Sequence, residues 1–310
     1  MEFDIIIPTA FREYSFLKKV IPYIEKNLSP RYIWIIVNGW KSRFLPKSIQ
    51  RNPRCRIVDE NALTNGLTYG RICALLKKHG MSDYRPGWYF QQFLKFAFAL
   101  SDYCTTDYYL SWDADTIPIR EINMFSPQDK PYFSMKHEHH QPYFDTIHNL
   151  LSLEKQNSYS YIAEHMLFHK DYVKELVQEI ESSVKVEGED WIEKTINSIS
   201  PSAHCGFSEF ETYGTFVLNR HPESYVEREL PSLRYGGFIR GRFIDRKILS
   251  QMTLDVSVVS FEAYHIPPFP WSLWVTWQMK YLRQKEIIIN RLHKELPIPF
   301  LSSISYVSEN

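Results

Sequence analysis

A chain of 310 residues with 44% hydrophobic residues has enough apolar surface for a sizeable core, which excludes a disordered chain. Its 36 basic residues are balanced by 36 acidic ones, which excludes the basic excess of a nucleic-acid-binding protein. Cys55, Cys73, Cys104 and Cys205 are scattered without metal-finger spacing and fit reduced thiols of a cytoplasmic protein. The N-terminus passes almost at once into Phe3-Asp4-Ile5-Ile6-Ile7-Pro8, so no ordinary signal peptide and no membrane-spanning run is expected. Aromatic residues make up 15% of the chain. Flat sugar faces stack on such rings, but a Phe- and Tyr-rich core explains the figure equally well.

Taken in chain order, Phe3–Pro8 predicts a short strand, and Phe11–Asn27 has helical spacing through Phe16, Leu17, Val20, Ile21 and Ile24. Tyr32–Val37 is β-rich and stops at the turn signal Asn38-Gly39. Cys55–Val58 predicts a third strand, followed by polar Asp59-Glu60-Asn61 and a helix over Gly70–Lys78. Pro86-Gly87 opens an aromatic helix through Leu100, and Asp107–Trp112 is another strand. Such alternation implies βαβ units and a largely parallel sheet, with ligands at the carboxyl ends of the strands. Later signals are strands at Pro131–Lys136, Met166–Phe168 and Val256–Phe261, and helices at Asp171–Ser182, Glu189–Ser198 and Ser208–Leu218.

Asp113-Ala114-Asp115 follows the apolar run Tyr108–Trp112. On an extended backbone, side chains two apart point the same way, so the two carboxylates are expected to converge. Close anions repel unless a cation lies between them, and paired carboxylates with substrate phosphates are a usual way to hold Mg²⁺ or Mn²⁺. The plainer alternative is a turn with solvated aspartates.

Leu110-Ser111-Trp112-Asp113-Ala114-Asp115-Thr116-Ile117-Pro118 resembles the Asp-x-Asp signature of GT-A-fold glycosyltransferases, particularly bacterial enzymes that build surface polysaccharide such as lipopolysaccharide or capsule. The order of parts over about residues 1–265 is similar too. Pro8, Thr9 and Arg12 end the first strand, and Gly87-Trp88-Tyr89-x-Gln91-Gln92-x-x-Lys95 lies on the aromatic helix. Glu164-His165-Met166-Leu167-Phe168 and Ser208-Glu209-x-Glu211-x-Tyr213-Gly214 follow the aspartates. The resemblance implies an α/β, Rossmann-like catalytic domain over residues 1–265, with a nucleotide-binding half at 1–120 and an acceptor half at 121–265. Residues 266–310 would be a helical, aromatic extension. It further implies a UDP- or GDP-linked sugar as donor and a glycan or lipid-linked oligosaccharide as acceptor. Asp115 would bind the metal directly, and Asp113 the ribose or a metal-bound water. Thr9, Arg12 and Asp59 would touch the nucleoside. Gln92 and Lys95 would lie near the diphosphate, although Lys95 also fits a cation snorkelling from an aromatic helix.

Inverting transfer needs a base on the acceptor hydroxyl, and Glu209 and Glu211 are the candidates. Ser208 and Glu211 also fit a capping box, which favours Glu209 as base. In some enzymes of this fold a late His is a third metal ligand; His265 is in place for that role or for an ordinary hydrogen-bonded histidine. His137-Glu138-His139-His140 is expected to line the acceptor cleft or face solvent, with metal binding a further option. Trp271, Trp274, Trp277 and Tyr281 share one helical stripe beside Lys280, Arg283 and Lys285. That pattern fits either peripheral contact with the inner face of the cell membrane or packing on the protein's own core. Two other functions compete. Asp113-Ala114-Asp115-Thr116-Ile117 also fits the opening motif of haloacid-dehalogenase-type phosphatases, with Asp113 as nucleophile, but the downstream acidic pair of that motif is missing. A non-catalytic glycan-binding protein would leave the Asp-x-Asp unexplained.

Overall fold

The structure is a computed structural model that describes residues 1–234, 236–237, 249, 256–262, 270–271, 273–274, 277–278 and 281. The first half alternates as its periodicity predicts: β1 (Phe3–Pro8), α1 (Tyr14–Asn27), β2 (Ile33–Val37), a short α2 (Lys47–Gln50), β3 (Cys55–Asp59), α3 (Tyr69–His79), α4 (Pro86–Leu100) and β4 (Tyr108–Trp112). The rest comprises β5 (Thr116–Pro118), β6 (Tyr132–Met135), α5 (Gln141–Leu151), β7 (His165–His169), α6 (Lys170–Ser182), α7 (Trp191–Ser198), α8 (Glu209–Arg220), β8 (Val226–Glu229), β9 (Ser232–Leu233) and β10 (Val258–Ser260).

This is a mixed α/β protein whose main sheet runs β3-β2-β1-β4-β7. The first four strands are parallel, and β7 pairs antiparallel with β4. The central strand β1 is buried at every position, as a strand covered on both faces must be. Its alternate side chains feed two cores. Ile5 and Ile7 join Leu17, Val20, Ile21 and Ile24 of α1 on one face, while Ile6 joins Phe93, Phe96, Ala97 and residues of α3, α6, α7 and α8 on the other. Asp4 is fully buried in this strand. Its carboxylate accepts two bonds from Arg31, at 2.9 and 2.7 Å, and one each from the Tyr32 amide and the Trp34 indole. Four donors account for a charge in the middle of an apolar strand.

Strand β5, which follows β4 after a short turn, belongs to a three-stranded sheet, β5-β10-β9. In it β10 pairs antiparallel with β5 and parallel with β9, so residues 116–118, 232–233 and 258–260 meet. Helix α5 has no counterpart among the sequence signals. Among the described residues no helix is long and apolar enough to cross a membrane. The described rings of the C-terminal stripe, Trp271, Trp274, Trp277 and Tyr281, are each more than half exposed. Lys280, Arg283 and Lys285, and most of the expected 266–310 extension, lie outside the described residues.

Candidate active site

A cavity of about 560 Å³ opens at the carboxyl ends of β1 and β4. That volume suits a small-molecule ligand, and the placement is the usual one for a parallel sheet. Asp113 and Asp115 both border it, together with Pro8, Thr9, Lys95 and Glu209. The two aspartates share that lining through a turn and not through an extended strand. Strand β4 stops at Trp112, and residues 113–116 form a turn closed by the Thr116 amide donating to the Asp113 carbonyl at 3.1 Å. The Asp113 amide donates to the Glu164 carbonyl, and the Phe261 amide donates to the Asp115 carbonyl at 2.9 Å. The acidic turn is therefore pinned by the residue just before β7 on one side and by the residue just after β10 on the other.

Lys95 is the one charged residue in the apolar helix α4, and it is buried. It does not snorkel. Its ammonium lies 2.6 Å from Glu209 Oε1 and 3.5 Å from Asp113 Oδ1, with the Phe210 ring 4.1 Å away. Burial pulls its pKa down, but Glu209 and Asp113 outweigh that and hold it above the ordinary lysine value. Gln92, also buried, accepts the Glu209 amide through Oε1. That bond fixes the amide plane, and among the described residues its Nε2 has no hydrogen-bond partner. A buried donor left open beside a cavity is costly unless a ligand satisfies it.

Ser208 caps α8 as expected, its hydroxyl accepting the Glu211 amide at 3.3 Å. The reciprocal half of the capping box is absent, because the Glu211 carboxylate points away from the helix start. It is fully buried and accepts from the Ser160 hydroxyl, from the Tyr161 amide at 2.7 Å and from Lys155 at 3.2 Å. Glu211 thus tethers the 155–161 segment and does not border the cavity, whereas Glu209 does. Gly214 serves the same junction: a Cβ there would stand 2.2 Å from the Tyr161 ring. Replacing Glu211 with Ala strands a part-buried lysine and two donors, so urea unfolding is expected to show a loss of about 3 kcal/mol. Glu209→Gln leaves Lys95 a second carboxylate, Asp113 at 3.5 Å, so it should cost less stability than Glu211→Ala and show its main effect as lost turnover.

Other expected site residues divide. Thr9 and Arg12 border the cavity, the Thr9 hydroxyl donating back to the Ile7 carbonyl and Arg12 pairing with Glu13 at 3.1 Å. Asp59 does not border it. Its carboxylate caps the turn after β3 by accepting the Asn61 and Gly39 amides, and a Cβ at Gly39 would lie 2.2 Å from its Oδ2. Glu60, one residue on, faces the cavity instead. His137, Glu138, His139 and His140 lie outside the cavity lining and bond to Glu229, Arg234, Gln141 and the His204 carbonyl. His265 lies outside the described residues.

Glu262 and Arg234 were not apparent from the sequence. Both border the cavity, 3.6 Å apart, and Arg234 also lies 3.6 Å from buried Glu164. Burial raises the Glu262 pKa to about 7, Arg234 opposing this and Asp115, Asp113 and Glu164 adding to it. Carboxylate oxygens are the donors that a hard divalent cation takes, but among the described residues Asp113, Asp115 and Glu262 are not drawn together at mutual ligand spacing.

Among solved structures, mouse xyloside xylosyltransferase 1 in its apo form is similar at 10% identity and a TM-score of 0.44, covering 86% of this chain and 99% of that one. The galactosyltransferase LgtC in complex with donor and acceptor sugar analogs gives 10% identity and a TM-score of 0.44, covering 84% and 87%. The bifunctional glycosyltransferase WbbM in its apo form gives 10% identity and a TM-score of 0.41, covering 88% and 51%. No curated protein matches the sequence. Residues 24–228 match the family described as a family of unknown function, DUF6492, and the chain belongs to that family.

Proposed function

We propose that the protein is a metal-dependent glycosyltransferase that moves a sugar from a UDP- or GDP-linked donor to a glycan or lipid-linked acceptor in the synthesis of cell-surface polysaccharide. The observation that carries this reading is the pair Asp113 and Asp115 on a pinned turn at the mouth of a cavity of about 560 Å³. In the transfer, the bond between the anomeric carbon and the diphosphate oxygen breaks and a bond to the acceptor oxygen forms. The diphosphate leaves with the electron pair, and the acceptor hydroxyl gives up its proton. Asp115, Asp113 and Glu262 would supply carboxylate oxygens to Mg²⁺ or Mn²⁺, and the ion would neutralise charge on the departing diphosphate.

The chain's own groups supply the rest. Gln92 offers its open amide donor to an anionic or hydroxyl oxygen of the donor substrate. Lys95 fixes the Glu209 carboxylate 2.6 Å from its ammonium, where Glu209 takes the acceptor proton. Arg234 holds Glu262 and Glu164 in register. Thr9, Arg12 and Glu60 border the nucleoside end of the cavity.

A thermal-shift screen of nucleotides and nucleotide sugars, with and without Mn²⁺ or Mg²⁺, tests this reading. A ligand specific for the folded protein stabilises it by RT ln(1 + [L]/Kd), about 2.7 kcal/mol at a hundredfold excess over Kd. We expect one nucleoside diphosphate and its sugar to stand out, and only with metal. Hydrolysis of p-nitrophenyl phosphate without any nucleotide response would instead establish a phosphatase with Asp113 as nucleophile. Glycan binding without nucleotide would establish a lectin.

A further inference from the structure

The six-residue turn of helix at Gly39–Phe44, between β2 and α2, has no buried residue. It nevertheless carries two large aromatic side chains, Trp40 at 65% exposure and Phe44 at 51%, and Phe11 joins them at 53%. Phe44 packs edge-on against both, with ring centroids 5.7 Å from Phe11 and 5.9 Å from Trp40. These rings are held in place but left in water, where burying them would be favourable.

Cations surround the cluster. The Arg43 guanidinium stacks 4.0 Å from the Trp40 centroid and 5.1 Å from that of Phe44, and the Lys41 ammonium lies 5.9 Å from Phe11. Among the described residues neither Arg43 nor Lys47 has a carboxylate partner. The sequence concentrates this charge. Residues 26–58 contain eight Lys and Arg and no Asp or Glu, in a chain whose total charge is zero; Lys41, Arg43 and Lys47 lie in or next to the knuckle, whereas Arg31, at the other end of β2, is paired with Asp4. The residues outside 26–58 therefore hold 28 cations against 36 acids, so the basic segment opposes the rest of the molecule.

We propose that this knuckle docks on an anionic lipid bilayer. Exposed Trp and Phe insert at the headgroup level, and adjacent Lys and Arg are drawn to anionic lipids. A soluble polyanion would use the cations and leave three rings in water, so the aromatic share of the patch favours lipid. Because Phe11 and Lys41 also border the cavity, docking turns its mouth toward the bilayer, where a lipid-linked acceptor would lie. That last step rests on the transferase reading; the docking does not.

Co-sedimentation of the full chain with phosphatidylcholine vesicles, with or without phosphatidylglycerol, decides the matter. We expect binding that requires phosphatidylglycerol and weakens with salt. Trp40→Ser with Phe44→Ser, and separately Arg43→Glu, should each lower partitioning at least about fivefold, the factor expected for one basic residue at such a surface. Circular dichroism should confirm that these exposed substitutions leave the fold intact. The proposal is overturned if the intact protein fails to bind at low salt or binds neutral vesicles equally well. It is also overturned if the knuckle variants bind as before while Trp271→Ser with Trp274→Ser does not, or if heparin is bound and vesicles are not. Failure of the nucleotide screen with vesicle binding intact would remove the transferase reading and leave the docking.

Discussion

Asp115→Asn is expected to leave the protein folded and to lower kcat/KM for sugar transfer by at least about a hundredfold, the scale of losing one charge-stabilising group from an active site. Its binding of the matching nucleoside diphosphate should no longer improve on adding Mn²⁺, a readout that does not depend on turnover. The ligand-free variant should melt no lower than the parent. In the folded protein Asp115 faces Glu262 closely enough to help raise that carboxyl to about 7, so removing its charge relieves repulsion. Active sites commonly store strain of this kind. Full transfer by a folded Asp115→Asn protein would overturn the role given to this aspartate.

Lys95→Met should have the largest effect on stability. The substitution keeps most of the buried volume and removes the ammonium between Glu209 and Asp113, with Glu209 itself buried. Breaking a buried ion pair from one side costs about 3–5 kcal/mol, because the partner is left ionised without compensation. Adding Glu209→Gln to Lys95→Met should recover a large part of that loss, since the neutral amide no longer needs a counter-ion. Urea titrations of the two single variants and the double variant measure the coupling. Additive losses would show that Lys95 matters for packing on Phe210 and not for charge.

How much of this was legible follows from the physics of each element. The strands of the parallel sheet and the buried helix α4 carry their own periodicity and were found within a residue or two. Ser208 declared the start of α8, and helix phase then separated the two acids: Glu209 faces the cavity and Glu211 the 155–161 segment. The sequence did not exclude a role for both, because a one-residue error in phase exchanges them. Helix α5 escaped notice because its N-cap, His140, makes no capping bond and its only start signal is a proline in the first turn. Strand β8, Val-Glu-Arg-Glu, is half-exposed and has no apolar run to mark it. Either acid of Asp59-Glu60 fits the end of a strand, and only the cap settles that Asp59 turns onto the Asn61 amide while Glu60 borders the cavity. Glu262 and Arg234 depend on pairing between segments far apart in sequence, which no local pattern encodes.

The bond from the Phe261 amide to the Asp115 carbonyl also has a consequence for the order of events in biosynthesis. The parallel strands β1 to β4 are complete once residue 112 has emerged from the ribosome, and domains tend to fold as their segments appear. The acidic turn at 113–116 must then wait for β10, with Arg234 and Glu262 arriving at the same late stage. Long-range closure of this sort is slow compared with local helix formation. A nascent chain therefore acquires its scaffold early and its acidic edge last. A chain cut back to residues 24–228 would lose both β1, the middle of the sheet, and the strand that fastens the aspartates.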